Sequence, residues 1–503
     1  MKCKHFSLAY AFRANKIILR ACGFHTLFSE EEVMELTFPL DTKSKSPLYE
    51  QIYHYIKSEI HNGNLRAATK LPSTRALAEH LQISRSTVEL AYEQLVSEGY
   101  VESLPWKGYY VSELLGMYHI ETEQMPKSLE NQEIKTKYRY DFTPNGIELE
   151  YFPYATWRKI TKKVQNEQEN EIFQLGDQKG ERILRETIAS YVHQARGVKC
   201  EARQVIVGAG NDYLLMLLQF LLGSGHTVAM ENPGYLHGYR ILDNLFDQVI
   251  AVGSDQYGMS VEELQNVEAD IAYVMPSHQY PLGTVMPIKR RMELLSWAYE
   301  NPGRYVIEDD YDSEFRYKGK PIPALQGNDR QGKVIYLGTF SKAIAPSIRI
   351  SYLILPEELL EIYEKKGRAI SSTVSRIDQM ILNEFITGGY MERHLNKMRG
   401  IYKMKHDTLM NALKVFQKSC RIKGENAGVH LLLELPADIE EQKMIEAAEK
   451  SGIRISGLSH ACFEKCEKSL PPTLILGYAV LKEEDIKPAV DILFELFSKR
   501  NGN

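Results

Sequence analysis

Lys342 stands in Gly338-Thr339-Phe340-Ser341-Lys342-Ala343-Ile344-Ala345-Pro346, a run that ends in Arg349. An amine among hydroxyls and a guanidinium can form a Schiff base with an aldehyde while Thr339, Ser341 and Arg349 hold a phosphate. Upstream, Glu308-Asp309-Asp310-Tyr311-Asp312 offers a carboxylate, Asp309, and a phenol, Tyr311. Tyr235 in Glu231-Asn232-Pro233-Gly234-Tyr235 supplies an aromatic plate, and Gly208-Ala209-Gly210-Asn211 supplies backbone N–H groups of Gly210 and Asn211. Amine, ring-nitrogen carboxylate, phenolate donor, aromatic plate and phosphate cradle are what an aldehyde cofactor with a pyridine ring and a phosphate requires. Each signal alone is weak, because a Ser-Lys pair usually lies on a surface, an acidic run is usually a solvated face and a glycine-rich turn is usually only a turn. A second group lies near the amino terminus. Ser84-Arg85-Ser86-Thr87 sets hydroxyls, a guanidinium and free N–H groups where phosphates and base edges could sit, with Lys70, Arg75 and Lys107 grouped around the same region.

The elements that must position these residues follow from periodicity. Ser46 and Pro47 read as N-cap and first turn of a helix with Leu48, Ile52, Ile56 and Ile60 on one face, ending near Asn62-Gly63. Ser73 caps a second helix carrying Leu77, Ala78 and Leu81. Ser84 caps a third with Val88, Ala91, Tyr92, Leu95 and Val96 in a full amphipathic stripe, stopped by Gly99. The stripe begins only at Val88, so the N-terminus of the third helix is left free to enter a groove. Tyr100-Val101 and Tyr109 to Val111, separated by Pro105, Lys107 and Gly108, read as a hairpin wing. From Tyr140 onward short apolar strands alternate with helical patterns: Val205–Val207, Thr227–Met230, Ile271–Met275, Tyr305–Ile307 and Val334–Leu337. That alternation predicts an α/β domain with a mostly parallel sheet, and places Asp309 and Tyr311 just past a strand's carboxyl end, where such sheets bind ligands.

The chain has 503 residues, which at roughly 150 residues per domain suggests about three folding units, and its 44% hydrophobic and 25% charged residues exclude wholesale disorder. With 61 basic and 66 acidic residues, bulk charge cannot hold nucleic acid, so DNA contact must come from a local motif. Between residues 47 and 112 six Lys or Arg oppose seven Glu, a balance of −1 that departs from the usual basic footprint. Six sparse cysteines form no disulfide framework or zinc pattern, and no apolar run approaches the roughly 18 residues of a membrane span, so a cytoplasmic location and no metal are expected. The expected organisation is an extension over 1–33, a DNA-binding domain over 34–112, a polar linker over 113–139, and a ligand-binding domain over 140–503 with a smaller subdomain from about 390. Residues 1–33 show neither a packed face nor a targeting signal. Glu30-Glu31-Glu32 before Met34 are also what a purine-rich ribosome-binding site encodes in frame, so Met34 is the expected native start.

Leu71-Pro72-Ser73-Thr74-Arg75-Ala76-Leu77-Ala78, Ser84-Arg85-Ser86-Thr87-Val88, Ala91-Tyr92-Glu93-Gln94-Leu95 and Glu98-Gly99-Tyr100 closely resemble the winged helix-turn-helix of GntR-type bacterial regulators. The resemblance implies double-stranded DNA as partner, with Lys70, Arg75, Ser84, Arg85, Ser86 and Thr87 at the contact and Gly108 letting the wing approach the backbone. The motifs around Tyr235, Asp309, Tyr311 and Lys342, together with Trp157, Arg196-Gly197-Val198 and Pro276-Ser277-His278-Gln279-Tyr280-Pro281-Leu282-Gly283, resemble the fold-type I aminotransferases, which bind pyridoxal 5'-phosphate. A GntR-type head on such a body is the arrangement of the MocR subfamily of transcription regulators. The resemblance implies a homodimer.

Three departures qualify what is carried over. Ile475, in Leu474-Ile475-Leu476-Gly477-Tyr478, stands where active aminotransferases carry an arginine for the substrate carboxylate. His237 replaces the arginine of the γ-aminobutyrate-responsive members, and His460 matches a second cationic position. Leu175 stands where a tyrosine often reaches the partner's phosphate. His237, His460 and His278 are the candidate effector contacts. The leading reading is a regulator that senses a small amine, an amino acid or pyridoxal phosphate itself. The alternatives are a working aminotransferase with a DNA-binding head, and pyridoxal phosphate alone as the signal.

Overall fold

The computed structural model describes residues 36–500 except 42–43, 45, 114–137, 145, 168–170, 318, 320 and 464–469. The chain divides into two compact units, Met1–Lys135 and Thr136–Asn503. The expected extension, the expected start at Met34 and all but the ends of the expected linker lie outside the described residues.

The first unit holds α1 (Leu48–His61), α2 (Thr74–Leu81), α3 (Arg85–Ser97), β1 (Val101–Leu104) and β2 (Gly108–Val111). The stripes meet as expected: Ile52, Ile56, Leu77, Val88, Ala91, Tyr92 and Leu95 are buried in one cluster. Ser73 accepts the Ala76 N–H at 3.1 Å and Ser84 the Thr87 N–H at 3.3 Å, so both expected caps form. The expected cap at Ser46 does not. Pro47 is extended at ψ 150° and is itself the N-cap, while the Ser46 hydroxyl donates to Glu50 at 2.9 Å. The Tyr92 hydroxyl donates to the Pro72 carbonyl at 3.0 Å, tying α3 to the start of α2. β1 and β2 form the wing, with Val101 opposite Val111 and Leu104 opposite Gly108.

The second unit is an α/β fold. In chain order it comprises β3 (Tyr140–Asp141), α4 (Tyr154–Glu167), α5 (Arg182–Arg196), β4 (Val205–Gly208), α6 (Asn211–Leu222), β5 (Thr227–Asn232), α7 (Leu236–Leu245), β6 (Gln248–Asp255), β7 (Gly258–Met259), α8 (Val261–Gln265), β8 (Ile271–Val274), α9 (Ile288–Tyr299), β9 (Tyr305–Asp310), β10 (Val334–Thr339), β11 (Ser351–Ile354), α10 (Glu357–Lys366), α11 (Arg376–Thr387) and α12 (Tyr390–Ala412). There follow β12 (Arg421–Lys423), β13 (His430–Glu434), α13 (Glu441–Lys450), β14 (Ile453–Arg454), β15 (Ser456–Gly457), β16 (Thr473–Gly477) and α14 (Glu483–Arg500).

Eight strands form the large sheet in the order β4-β11-β10-β9-β8-β5-β6-β7. The pairs from β10 through β6 are parallel, whereas β11 runs against both its neighbours and β7 against β6. Strands buried on both faces read as continuous apolar runs, which is why β4, β5, β8, β9 and β10 were visible in the sequence. Along β4, Val205 and Val207 enter one core cluster and Ile206 the other, so helices cover both sides of the sheet. β12, β13, β16 and β15 make a smaller antiparallel sheet.

Backbone approach is closest where this small sheet meets the segment after β3. The Gly477 N–H donates to the Phe142 carbonyl at 2.8 Å, and a Cβ on Gly477 would lie 2.4 Å from the Thr143 oxygen. Because backbone cannot rotate aside as a side chain can, Gly477→Ala is expected to cost on the order of 1–3 kcal/mol. A lowered melting temperature of the full-length protein checks this.

Candidate functional site

The parallel strands β5, β8, β9 and β10 end on one side of the sheet, and the chain segments leaving them meet β4 and α6 around a cavity of about 160 Å³. Gly210, Asn211, Tyr235, Asp309, Tyr311, Thr339, Ser341, Lys342 and Arg349 all line it. Nine residues read from motifs and lying up to 139 positions apart are thus brought to one place. His237 lines it too. His278 does not. It is buried one layer behind, its Nδ1 2.8 Å from Asp312 and 3.0 Å from the Tyr311 hydroxyl. His460 is exposed on a short turn and is not among the lining residues.

Two positions differ from expectation in detail. β9 runs on to Asp310, so Asp309 lies within the strand and only Tyr311 lies past it. The Gly210 N–H is already bonded to the Gly208 carbonyl at 2.9 Å, so Gly210 contributes space in place of a donor. That space is needed: its φ is +91°, and a Cβ there would fall 2.4 Å from Arg349 Nη2. Anion donors come instead from the orphan N–H groups of the first turn of α6, beginning at Asn211. Arg349 itself holds φ +50°, a backbone conformation that costs a non-glycine residue about 1–2 kcal/mol.

The electrostatics follow from burial. Asp309 accepts from the Tyr273 hydroxyl, and desolvation, opposed by that bond, pushes its carboxyl up to about 7. Its other oxygen, Oδ1, is buried without a partner, as is Asn211 Oδ1. Desolvation also lowers the Lys342 amine to about 8, with Asp312 opposing it. Tyr235, Tyr280 and Tyr311 meet edge to face at centroid distances of 6.2 and 6.4 Å, forming an aromatic box. Asp212 joins Arg349 at 2.9 Å and His237 at 3.4 Å.

Tyr280, Asp212 and Tyr273 were not singled out from the sequence. Tyr280 lies inside a quoted motif, but Tyr273 sits mid-strand with no local signal of its role. Ile475 is buried in β16 between Leu432 and Ser456, outside the cavity, and Leu175 is 96% exposed.

On the first unit, Ser84 Oγ lies 2.9 Å from Ser86 Oγ and 2.7 Å from Thr87 Oγ1 at the N-terminus of α3. Arg75 and Arg85 line one shallow recess, each held by an acid one turn on: Arg75 to Glu79 at 3.0 Å and Arg85 to Glu89 at 2.8 Å. Lys70 pairs across a β-bridge with Tyr110, and Gly108, at φ +105°, has nothing within 4 Å of where a Cβ would point.

Residues 48–111 match the bacterial regulatory proteins of the gntR family, and residues 149–493 match the aminotransferases of class I and II. An uncharacterized HTH-type transcriptional regulator of Bacillus subtilis, YdeL, is 39% identical over 91% of this chain and 98% of its own. The probable rhizopine catabolism regulatory protein MocR of Rhizobium meliloti is 31% identical over 91% of this chain and 95% of its own. The chain belongs to the MocR-type transcription regulators. Among solved structures, a Pyrococcus horikoshii kynurenine aminotransferase in complex with PMP superimposes with a TM-score of 0.64 at 25% identity, covering 73% of this chain and 92% of that one. As in other MocR-type regulators, then, a winged helix-turn-helix precedes a fold-type I aminotransferase-like domain, a fold whose homologues depend on pyridoxal phosphate. The gntR-type head implies DNA binding. Among the described residues no helix is long and apolar enough to cross a membrane.

Two outcomes are expected. Competitive acetylation of the ligand-free protein should label Lys342 with a midpoint near pH 8, because the amine is nucleophilic only above its lowered pKa. Mass spectrometry of the Lys342 peptide across pH reads this out. Glu89→Gln should raise DNA affinity about twofold or more by releasing Arg85 from an exposed pair worth about 0.3–0.5 kcal/mol, measured by duplex titration at fixed salt.

Proposed function

We propose that this regulator holds pyridoxal 5'-phosphate in the cavity at Lys342 and couples occupancy of that cavity by a small amine, an amino acid or the cofactor itself to DNA binding by the head. One observation carries the reading. In a cavity of about 160 Å³ lined by a low-pKa amine and an arginine, the buried acid Asp309 keeps one oxygen unpartnered. That oxygen suits a protonated pyridine nitrogen, whose positive charge offsets the desolvation that now raises the Asp309 carboxyl. Pyridoxal phosphate, when bound, supplies an aldehyde that condenses reversibly with amines.

The chain's own groups do the rest. Lys342 presents its amine, Tyr311 donates through its hydroxyl, Tyr235 covers one face of the ring, and Thr339, Ser341, Arg349 and the first turn of α6 receive the phosphate. Tyr311 is in turn oriented by His278 and Asp312. No arginine for a substrate carboxylate stands at Ile475, so productive anchoring of an amino acid is weak, which supports sensing over turnover. The head and body act as a homodimer, by the family resemblance.

A specific observation favours pyridoxal phosphate itself as the signal. Asp212 already occupies Arg349 at 2.9 Å, so an incoming phosphate competes with a carboxylate for the same guanidinium. A hold of that kind is exchangeable, as a sensor of cofactor concentration requires.

Borohydride reduction of protein loaded with pyridoxal phosphate should leave a covalent adduct on the Lys342 peptide alone, and Lys342→Ala should abolish it. An adduct elsewhere in the Ala variant sinks the assignment. Asp212→Asn should tighten retention of the cofactor about two- to fivefold on dialysis, by removing the competing charge of an exposed pair. Steady turnover of an amino donor with an oxo-acid at ordinary enzyme rates would instead favour the aminotransferase reading.

A further inference from the structure

The chain has three tryptophans, and Trp297 is fully buried while Trp157 packs against Phe152 and Phe385. Trp106 is the exception: its relative exposure is 105%, the value of a side chain touching nothing. It sits at the tip of the wing in Leu104-Pro105-Trp106-Lys107. The Lys107 N–H closes the turn on the Leu104 carbonyl at 3.1 Å, Pro105 takes the second position and Trp106 the third at φ +65°. This is the signature of a type II turn, whose third position calls for glycine or asparagine. The chain thus places its bulkiest side chain where the backbone favours glycine, and then leaves it uncovered. Neither local conformation nor packing within the first unit accounts for it.

The tip is carried on a rigid arm. The Leu71 N–H donates to the Tyr109 carbonyl at 2.9 Å, the Ala68 N–H donates to the Val111 carbonyl and the Val111 N–H to the Thr69 carbonyl, each also at 2.9 Å, and the Tyr109 ring meets Tyr92 of α3 edge to face at 4.8 Å. The wing is therefore fixed to the helix whose N-terminus carries Ser84, Arg85 and Thr87. Around Trp106 stand Pro105, Lys107 and Gly108, with no acid, and Gly108 has open space where a side chain would point. A slim, cationic tip with one large flat ring suits a polyanion with stacked bases. Tyr92 lies seven residues along α3 from Arg85, about 10 Å, and Trp106 three residues from Tyr109, also about 10 Å at most, so the helix N-terminus and the wing tip are both close to the contact that joins them.

We propose that Trp106 is a wedge for the DNA minor groove: with α3 in the major groove, its ring enters the adjacent minor groove and stacks on a sugar or a partly opened base step. Apolar side chains inserted this way kink the duplex and favour flexible pyrimidine–purine steps, so Trp106 adds sequence preference through deformability at positions α3 does not touch. The wedge rests on the reading of α3 as the DNA-reading helix, and the test separates the two.

A duplex enriched from a random pool by the full-length protein is the probe. Trp106→Gly removes the ring while giving the turn the residue its backbone favours, so the variant should melt no lower than wild type. It should nevertheless bind the duplex roughly ten- to a hundredfold more weakly, the scale of a lost base stack. The slope of affinity against salt should be unchanged, because no charge is removed, whereas Arg85→Ala should flatten it by about one. Trp106→Phe should restore most of the affinity. Binding by Trp106→Gly within twofold of wild type, with Arg85→Ala still impaired, overturns the wedge. Equal binding by wild type and Arg85→Ala overturns the reading of α3, and the wedge with it. A loss in Trp106→Gly that tracks a change of oligomeric state by sedimentation would place the ring against protein and also overturn the proposal.

Discussion

Between residues 308 and 314 the chain carries five carboxylates, and folding draws them into the interior beside the cavity, where each charge must find a partner or be neutralised. Glu308 takes the N–H groups of Leu325 and Gln326 at 2.7 and 2.8 Å. Asp310 takes Arg196 at 2.8 Å and Tyr336 at 2.5 Å, Asp312 takes His278, and Glu314 takes the Tyr191 hydroxyl at 2.9 Å. These partners come from α5, β8 and β10 and from the segments that follow β8 and β9. Satisfying this short run therefore fixes how the elements around the cavity are placed. Burial still raises Glu308 and Glu314 to about 7, as it does Asp309. Of the five, Asp309 alone keeps a buried oxygen with no partner, and that oxygen belongs to the residue facing the cavity.

The same run shows what a sequence reveals and where it stops. Tyr305, Val306 and Ile307 announce a strand because they are apolar, but the strand continues through Glu308, Asp309 and Asp310, which carry no strand signal. Charged residues enter a central strand only when partners await them, and those partners are as far away as Arg196, 114 positions upstream. Motif order sufficed to collect Lys342, Asp309, Tyr311, Tyr235 and Arg349 at one cavity. It could not reveal Tyr273, whose hydroxyl reaches Asp309 because β8 lies beside β9, nor that the Gly210 N–H turns back on Gly208. The antiparallel β11 was also missed, since alternation of strand and helix implies parallel neighbours and nothing in Ser351–Ile354 marks the reversed direction.

In the head the constraint is inverted, because the charges remain in water. Six basic residues against seven acidic ones leave no net attraction for a polyanion, and Arg75 and Arg85 each spend a guanidinium nitrogen on a glutamate of their own helix. Such exposed pairs are weak and give way to a phosphate or a guanine edge, which offers a stronger charge-assisted bond. Affinity in this design depends less on long-range attraction than on contacts made at close range, and a head without bulk positive charge also holds non-specific DNA weakly. The proposed contact at Ser84, Arg85, Ser86 and Thr87 and the proposed wedge at the wing tip would both act at that range.

In both units an acid pairs with a cation that the proposed ligand would have to take over. Glu79 and Glu89 restrain the arginines of the head, and Asp212 restrains Arg349 in the cavity while also reaching His237. Both settings are open to solvent, for the Arg349 and Asp212 side chains are about as exposed as Arg85 and Glu89. At the exposed helix the pair is screened, so exchange for DNA costs little and follows salt. In the cavity Arg349 is held in a strained backbone conformation with the first turn of α6 beside it, and a phosphate that displaces Asp212 gains those N–H groups as well. The released carboxylate keeps His237, 3.4 Å away, as its neighbour on the cavity lining. Asp212 thus touches both the arginine proposed to receive the phosphate and the one candidate effector histidine that lines the cavity.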